Sequence, residues 1–543
     1  MPINVDRRAL IRGAAVVGAV SAIPSARARA ADSGRTLVIA SPATPQGLDG
    51  EYDVSLGTVD STGALYDNLI AFKKIPDPAS PDVLREDTAV HPELPYGLAL
   101  EGRLAEKWEI APDGKRVTFT LRQGVKSNWG NMLTAEDVRY SWERRFNSKG
   151  NGGFMTRMLG VTDPAQIKVE SPQVVSFDLP TPTPLILKLH CNLSAPIYDQ
   201  TKMKQAATAD DPWANNFLKN SSAGFGPYQM AEIVRGQQAV FRARDDYYGP
   251  KPFFDTVVMR EVPSSASRLS LLQGGAVDIA QFLAPREYLS LKSSPVAAFD
   301  AVASSYALWF ELNAKMPPFD NVQVRQAMNY LLPREQIIKT VYYGLASKQT
   351  ACIPEGYPMV DPGFFDYDEN LDKAKDLLKQ AGLASGFKTT ISYDAGNPVQ
   401  EPIALIFQTS LRRVGVEAVL DKLPAGVFYE NVSRRQKPII FYLDSPWTPD
   451  PGYSTGLYFL SKSFVNYSNY VNPDVDRLIQ DGMQTSDDHR RRDIYTQVQK
   501  IVMSEAPWGF LVYPKYAMGR KKNLKGLTYY TSNNLRFQDF SRD

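Results

Sequence analysis

The feature that most constrains the fold is a regular alternation of strand and helix patterns in the second half of the chain. Residues 388–394 and 416–422 have strand patterns, and residues 401–413 and 427–435 have helix patterns. This order is typical of an α/β domain, in which helices cover the faces of a sheet. At 543 residues the chain is too long for one hydrophobic core, so two or three domains are expected.

Other segments predict further elements. Thr134 and Asp137 have the spacing of a capping box, and Gly382 suits a left-handed helix end. The predicted helices are residues 58–72, 134–147, 321–331, 334–342, 371–381, 472–482 and 488–505. The predicted strands are residues 36–40, a hairpin across 106–122, a pair across 168–179 and a closing strand at 510–513, with proline-rich loops over 75–95.

The first thirty residues have the pattern of an export signal. Arg7 and Arg8 precede an apolar run of eleven residues, 13–23, and then the small-residue stretch 25–30. A membrane-spanning helix needs roughly 20 apolar residues, so this run is too short to be an anchor. We expect a twin-arginine (Tat) signal cleaved near Ala30 and a periplasmic protein; an ordinary secretory signal with paired arginines is the alternative.

Composition excludes several classes of protein. Residues 1–30 carry five arginines and one aspartate, so their removal takes the formal net charge from +2 to −2. A near-neutral protein has no electrostatic reason to bind nucleic acid or an anionic membrane. The three histidines lack metal-ligand spacing, so neither a metal site nor a cofactor is expected. Cys191 and Cys352 are expected to be free thiols, with a disulfide between them as the alternative.

Several motifs occur in an order that resembles one family. The segments that carry the resemblance are residues 104–126, 133–138, 224–228 (GFGPY), 246–252 (DYYGPKP), 267–269, 275–278, 310–327, 472–476 and 526–527. Together they resemble the bacterial extracellular solute-binding proteins of family 5. That family includes the dipeptide, oligopeptide, nickel and opine binding proteins of ABC importers. The resemblance covers residues 35–540.

The resemblance implies an α/β fold: the two-lobed periplasmic-binding-protein fold with a hinge (type II, cluster C). Residues 31–304 would form lobe I, with an inserted subdomain at about 73–185, and residues 305–513 would form lobe II. Residues 514–543 would return to lobe I. The implied partners are a small-molecule or peptide ligand held between the lobes, and ABC permease subunits with their ATPase. A monomer is expected, because lobe closure needs no second copy.

The resemblance also places ligand contacts on a tryptophan-containing loop of lobe II. We call residues 442–453, YLDSPWTPDPGY, the tryptophan loop. A cationic ligand could stack on Trp447 while pairing with Asp444 or Asp450, and Tyr453 ends the same loop. The alternative is structural: prolines stiffen the loop, Trp447 packs in the core and Asp444 caps a turn. The loop is shorter than in peptide-binding members of the family, where two aspartates follow the tryptophan.

Weaker candidates lie elsewhere. Tyr52 follows the first strand, Trp129 replaces a polar residue at an exposed turn, and Trp309 lies near the hinge. A peptide is the default ligand, with an opine, an oligosaccharide or another cationic metabolite as the alternative. A secreted hydrolase is a remote alternative, because the chain has no nucleophile elbow and few histidines.

Overall fold

The computed structural model describes residues 35–51, 55–147 and 151–543. Strands in the first half of this described chain are β1 (Thr36–Ser41), β2 (Ile70–Phe72), β3 (Lys74–Asp77), β4 (Ser80–Glu86), β5 (Leu100–Gly102), β6 (Ala105–Ile110), β7 (Arg116–Leu121), β8 (Ile167–Ser171), β9 (Val174–Asp178), β10 (Tyr228–Val234), β11 (Gln238–Ala243) and β12 (Thr256–Glu261). Those that follow are β13 (Ile279–Gln281), β14 (Ala297–Val302), β15 (Ala307–Leu312), β16 (Ala346–Lys348), β17 (Lys388–Asp394), β18 (Glu417–Leu423), β19 (Ile439–Asp444), β20 (Trp508–Pro514), β21 (Tyr516–Lys521), β22 (Leu524–Lys525), β23 (Thr528–Tyr529) and β24 (Ser541–Arg542).

Helices connect these strands. They are α1 (Leu56–Leu65), α2 (Ala135–Phe146), α3 (Asn151–Leu159), α4 (Leu185–His190), α5 (Gln200–Ala206), α6 (Ser265–Gln273), α7 (Pro285–Ser290), α8 (Val322–Tyr330), α9 (Arg334–Thr340), α10 (Leu371–Gln380), α11 (Gln400–Arg412), α12 (Ala425–Arg434), α13 (Pro451–Phe459), α14 (Pro473–Met483) and α15 (Asp488–Glu505).

Two large sheets define two lobes. Lobe I contains a seven-stranded sheet in the order β10-β11-β12-β1-β13-β21-β14, and lobe II a six-stranded sheet in the order β16-β20-β15-β19-β17-β18. In lobe II, β17 pairs in parallel with both β18 and β19, as the alternation of strands and helices predicts. The two-lobed α/β fold is therefore confirmed.

The chain passes between the lobes twice. It leaves the seven-stranded sheet after β14, enters the six-stranded sheet at β15, and returns between β20 and β21. The Ser304 hydroxyl donates to the Pro514 carbonyl at 2.6 Å, which ties the two crossings together. Strand β21 lies between β13 and β14, so the C-terminal part of the chain completes the sheet that the N-terminal strand β1 begins.

Lobe I also carries a four-stranded sheet, β6-β7-β9-β8, with α2 against it. A continuous cluster of buried apolar side chains extends from this sheet into lobe II. Phe154 of α3 lies at the junction, its ring centroid 5.9 Å from that of Tyr453 and 5.8 Å from that of Phe464. The lobes are therefore in apolar contact on this side of the molecule.

Most predicted elements are present within a few residues. The capping box at Thr134 forms, with the Thr134 backbone N–H donating to Asp137 at 2.7 Å. The helix expected at 58–72 is wrong beyond Leu65, because Tyr66 adopts an extended conformation and residues 70–72 become β2. The loops expected at 75–95 are partly wrong, because β3 and β4 form and β4 pairs with the distant strand β23.

Candidate functional site

A small cavity lies where β15, β19 and β20 of lobe II meet. It measures about 210 Å³. Its walls come from these strands, from the loop after β16 and from α13: Ala307, Trp309, Gln349, Ala351, Cys352, Ile353, Pro354, Asp444, Pro446, Tyr458, Trp508 and Tyr513. The strand register places the start of β15 beside the end of β19, because Ala307 lies directly opposite Asp444 in this pair. Two predicted site residues, Trp309 and Asp444, therefore line the same cavity.

Aromatic rings form most of the cavity wall. Trp309 stacks on Trp508 with ring centroids 4.1 Å apart, and Tyr458 meets both indoles edge-on at 5.4 and 5.3 Å. The Trp309 indole N–H donates to Glu311 at 2.8 Å, which fixes the ring. The wall is therefore rigid and presents π-faces that attract cations.

The loop between β16 and α10 closes one side of the cavity. The Tyr513 hydroxyl donates to the carbonyls of Ala351 and Ile353 at 2.9 and 3.1 Å. The Leu511 backbone N–H donates to the Gln349 side chain at 2.9 Å. Sequence reasoning missed Tyr458, Trp508 and Tyr513, although the dense aromatic spacing near β20 was a visible signal.

Asp444 supplies the negative charge of the cavity. It is half-buried at the end of β19, and its carboxylate accepts from the Ser445 backbone N–H at 2.8 Å. Burial raises the pKa of this carboxyl to about 6, so it is ionised at neutral pH. Within the described part of the chain, no Lys, Arg or His forms an ion pair with it.

The Tyr458 hydroxyl is a second polar group at this wall. It is buried, and burial followed by the charge of the adjacent Asp444 carboxylate raises the pKa of this hydroxyl well above its ordinary value. The Tyr458 hydroxyl is thus already engaged by Asp444 within the protein. The cavity combines this carboxylate with the four aromatic side chains of Trp309, Tyr458, Trp508 and Tyr513.

Asp450 lies close by in sequence but has a different environment. It is fully buried, caps α13 through the Gly452 N–H at 2.8 Å, and pairs with Lys188 at 2.8 Å and Arg491 at 2.8 Å. These cations lower the pKa of the carboxyl to about 2 against the effect of burial. The expectation that Asp450 offers a free carboxylate to a ligand is wrong, because protein cations already occupy both of its oxygens.

Trp447 and Tyr453 both contact lobe I. Trp447 is half-buried, and its carbonyl accepts from the Thr531 hydroxyl of lobe I at 3.3 Å. Tyr453 is 1% exposed in α13 and packs against Phe154 of lobe I. Both residues therefore lie at the boundary of the lobes, and neither lines the cavity around Asp444.

Comparison with known proteins assigns the chain to a family. The family model of the bacterial extracellular solute-binding proteins, family 5 (middle), matches residues 99–466. The chain belongs to this family. Its members are binding proteins rather than enzymes, and this chain is accordingly an extracytoplasmic solute-binding protein.

Relatives of this family 5 protein cover nearly the whole chain. The probable D,D-dipeptide-binding periplasmic protein DdpA of Escherichia coli K12 is 29% identical over 498 residues, 91% of each protein. The dipeptide-binding protein of Escherichia coli K12 is 26% identical over 530 residues, 91% of this chain and 92% of its own. These matches extend beyond the segment covered by the family model at both ends.

Solved structures of the family share the fold. The periplasmic binding protein DppA from Helicobacter pylori, in complex with the peptide STSA, superposes with a TM-score of 0.81 at 24% identity, covering 94% of this chain and 98% of its own. The binding protein AgaA in complex with agropinic acid, from "A.tumefacien R10", gives a TM-score of 0.78 at 22% identity, covering 94% of this chain and 99% of its own.

Trp129, a further candidate residue of this family 5 protein, does not line the cavity. The Trp129 indole N–H donates to the Ser222 carbonyl at 2.8 Å, and the Lys202 ammonium lies 3.8 Å from its ring. Trp129 is 46% exposed, and these partners all belong to lobe I. Tyr52, like the signal segment 1–30, lies outside the described residues.

The two cysteines are not bonded to each other. Cys191 is buried in lobe I and Cys352 is buried beside the cavity in lobe II, which leaves both as free thiols. Burial raises the pKa of both thiols, so neither is a reactive thiolate at neutral pH. No helix of the described residues is long and apolar enough to cross a membrane.

Proposed function

We propose that this protein captures a short peptide between its lobes and delivers it to an ABC permease driven by its ATPase. The observation that carries the proposal is the carboxylate of Asp444, ionised and without a protein cation, in a wall of aromatic rings. A peptide's α-amino group is a cation that pairs with such a carboxylate and also favours nearby π-faces.

The size of the cavity limits the part of a ligand that enters it. Pockets that enclose a drug-sized molecule measure roughly 300–1,000 Å³, and this cavity is far smaller. We therefore propose that it takes the α-amino group at the N-terminus of the peptide. The rest of the ligand would lie between the lobes near Trp447.

Closure follows from the two chain crossings. We propose lobe I at residues 31–304 and 514–543, with the subdomain at about 73–185, and lobe II at residues 305–513. The crossings near Ser304 and Pro514 would serve as the hinge for a rigid-body rotation. We also propose that the protein is exported through the twin-arginine signal and cleaved near Ala30. It would then be a monomer in the periplasm.

Native mass spectrometry of the protein from its own extracytoplasmic fraction tests the ligand class. A set of bound masses spaced by amino-acid residues supports a peptide. A single mass without that spacing supports an opine or another cationic solute, a class to which the agropinic acid complex of AgaA draws attention.

Titration calorimetry with paired ligands tests the role of Asp444. A free dipeptide and its N-acetylated form differ only in the α-amino charge. We expect acetylation to weaken binding to the natural protein strongly, and to have little effect on Asp444→Asn. Equal affinities of the two ligands for the natural protein would refute the proposed contact.

A further inference from the structure

Lys188 joins the two lobes through a buried ion pair. It lies on α4 of lobe I, its side chain is 7% exposed, and its ammonium donates to Asp450 of lobe II at 2.8 Å. It also donates to the Pro449 carbonyl at 3.2 Å. On the lobe II side, Arg491 of α15 contacts both oxygens of Asp450, at 2.8 and 3.0 Å.

Other bonds across the same boundary surround this pair. The Asn192 amide donates to the Thr448 hydroxyl at 2.8 Å, and the Thr183 hydroxyl donates to the Met483 carbonyl at 2.9 Å. Thr183 and Asn192 lie on either side of α4 in lobe I, whereas Thr448 lies in the tryptophan loop and Met483 ends α14 of lobe II. The contact is therefore a localised polar attachment beside the apolar contact at Phe154.

The two cations that contact Asp450 differ in their dependence on contact between the lobes. Arg491 and Asp450 both belong to lobe II and neutralise one another whether or not the lobes meet. Lys188 is the additional cation, and it reaches Asp450 only when α4 approaches the tryptophan loop. A separated lobe I would leave the Lys188 ammonium in water, whereas lobe contact buries it against a carboxylate.

We propose that Lys188 is a positioning residue for solute capture: it fastens lobe I to Asp450 and so sets the balance between contacting and separated lobes. Because it occupies Asp450, it also leaves Asp444 as the carboxylate open to a ligand cation. This inference goes beyond the proposed function and does not depend on the identity of the ligand.

The distance between the lobes tests the proposal without a ligand. A groove of about 1270 Å³ has α3 of lobe I on one side and α14 of lobe II on the other. Arg157 and Gln480 are exposed on these two walls. Spin labels at Arg157→Cys and Gln480→Cys report the separation by electron–electron double resonance, and the buried Cys191 and Cys352 are replaced by alanine beforehand.

Lys188→Met is the decisive variant. We expect the population with a long distance between the labels to rise about tenfold relative to the population with a short distance. This factor corresponds to the loss of one charge-assisted hydrogen bond. Lys188→Arg, which keeps the charge, should restore most of the short distance. Lys204→Met is the matched control, because Lys204 is exposed on lobe I and contacts Gln200 of its own helix and the ring of Tyr140, both in lobe I. It should leave the distances unchanged.

An unchanged distance distribution in Lys188→Met would overturn the proposal. The variant should fold, because Asp450 keeps its Arg491 partner. If it does not fold, Lys188→Gln takes its place, since glutamine keeps a donor for the Pro449 carbonyl but removes the charge. A distribution like that of the natural protein in Lys188→Gln would overturn the proposal equally.

Discussion

Replacing Asp444 with asparagine should weaken ligand binding and stabilise the free protein at the same time. The carboxylate is half-buried, ionised at neutral pH and without a cation of its own. A charged hydrogen bond contributes about 1.5–3 kcal/mol, so Asp444→Asn should weaken a cationic ligand about 10- to 150-fold.

The stability effect has the opposite sign. Burial raises the pKa of Asp444 from 3.8 to about 6 in the folded protein. Between these values the folded state binds more protons than the unfolded state, so stability falls as pH rises from about 4 to about 6. A shift of about two units corresponds to at most about 3 kcal/mol, a cost that Asp444→Asn removes above pH 6.

Two measurements test the expected effects of Asp444→Asn on ligand affinity and on stability. Calorimetry at pH 7.5 compares ligand affinity, and urea unfolding of the free proteins at pH 4 and pH 7.5 compares stability. Asp394→Asn is the matched control: Asp394 also ends a strand of the same sheet and accepts a backbone N–H, but it does not line the cavity. An unchanged ligand affinity in Asp444→Asn would refute the reasoning, as would a variant less stable than the natural protein at pH 7.5.

Three further substitutions test the surrounding contacts. Asp450→Asn should cost about 3–5 kcal/mol of unfolding free energy at neutral pH, because Lys188 and Arg491 would remain buried without their anion. In the folded natural protein the pKa of the Asp450 carboxyl is about 2. The natural protein therefore keeps this stabilisation above pH 3.8 and loses it as the pH falls towards 2, which urea unfolding at several pH values would reveal. Burial raises the pKa of Glu311 to about 8, so ionisation of this carboxyl costs the natural protein stability as the pH rises from 5 to 9. The melting temperature of Glu311→Gln should therefore rise relative to that of the natural protein over this range. An equal difference in melting temperature at pH 5 and pH 9 would contradict this. Trp447→Ala should weaken peptide binding at least tenfold in calorimetry if its ring stacks on the ligand, whereas a fall in melting temperature alone would assign it to packing.

Local sequence signals located many elements because their causes lie within a few residues. The turn at 112–114 joins β6 to β7, and the side chain of Asp137 reaches back to Thr134 only three positions away. Gly382 adopts a φ of +76° immediately after Ala381, the C-cap of α10, and glycine takes this conformation without steric cost. The errors at β2 and β4 have a different origin, since β2 pairs with β5 and β4 pairs with the distant strand β23 as well as with its neighbour β3.

The sequence by itself determined the family, the two-lobed α/β class and the loop that carries Asp444 and Asp450. Only the tertiary structure decided what each carboxylate does. Both aspartates lie in the same short loop, but the Lys188 that pairs with Asp450 lies 262 positions away, and the aromatic wall around Asp444 comes from β15, β20 and α13. Charge pairing and burial depend on which distant side chains meet in space, and no short-range pattern in the chain encodes that.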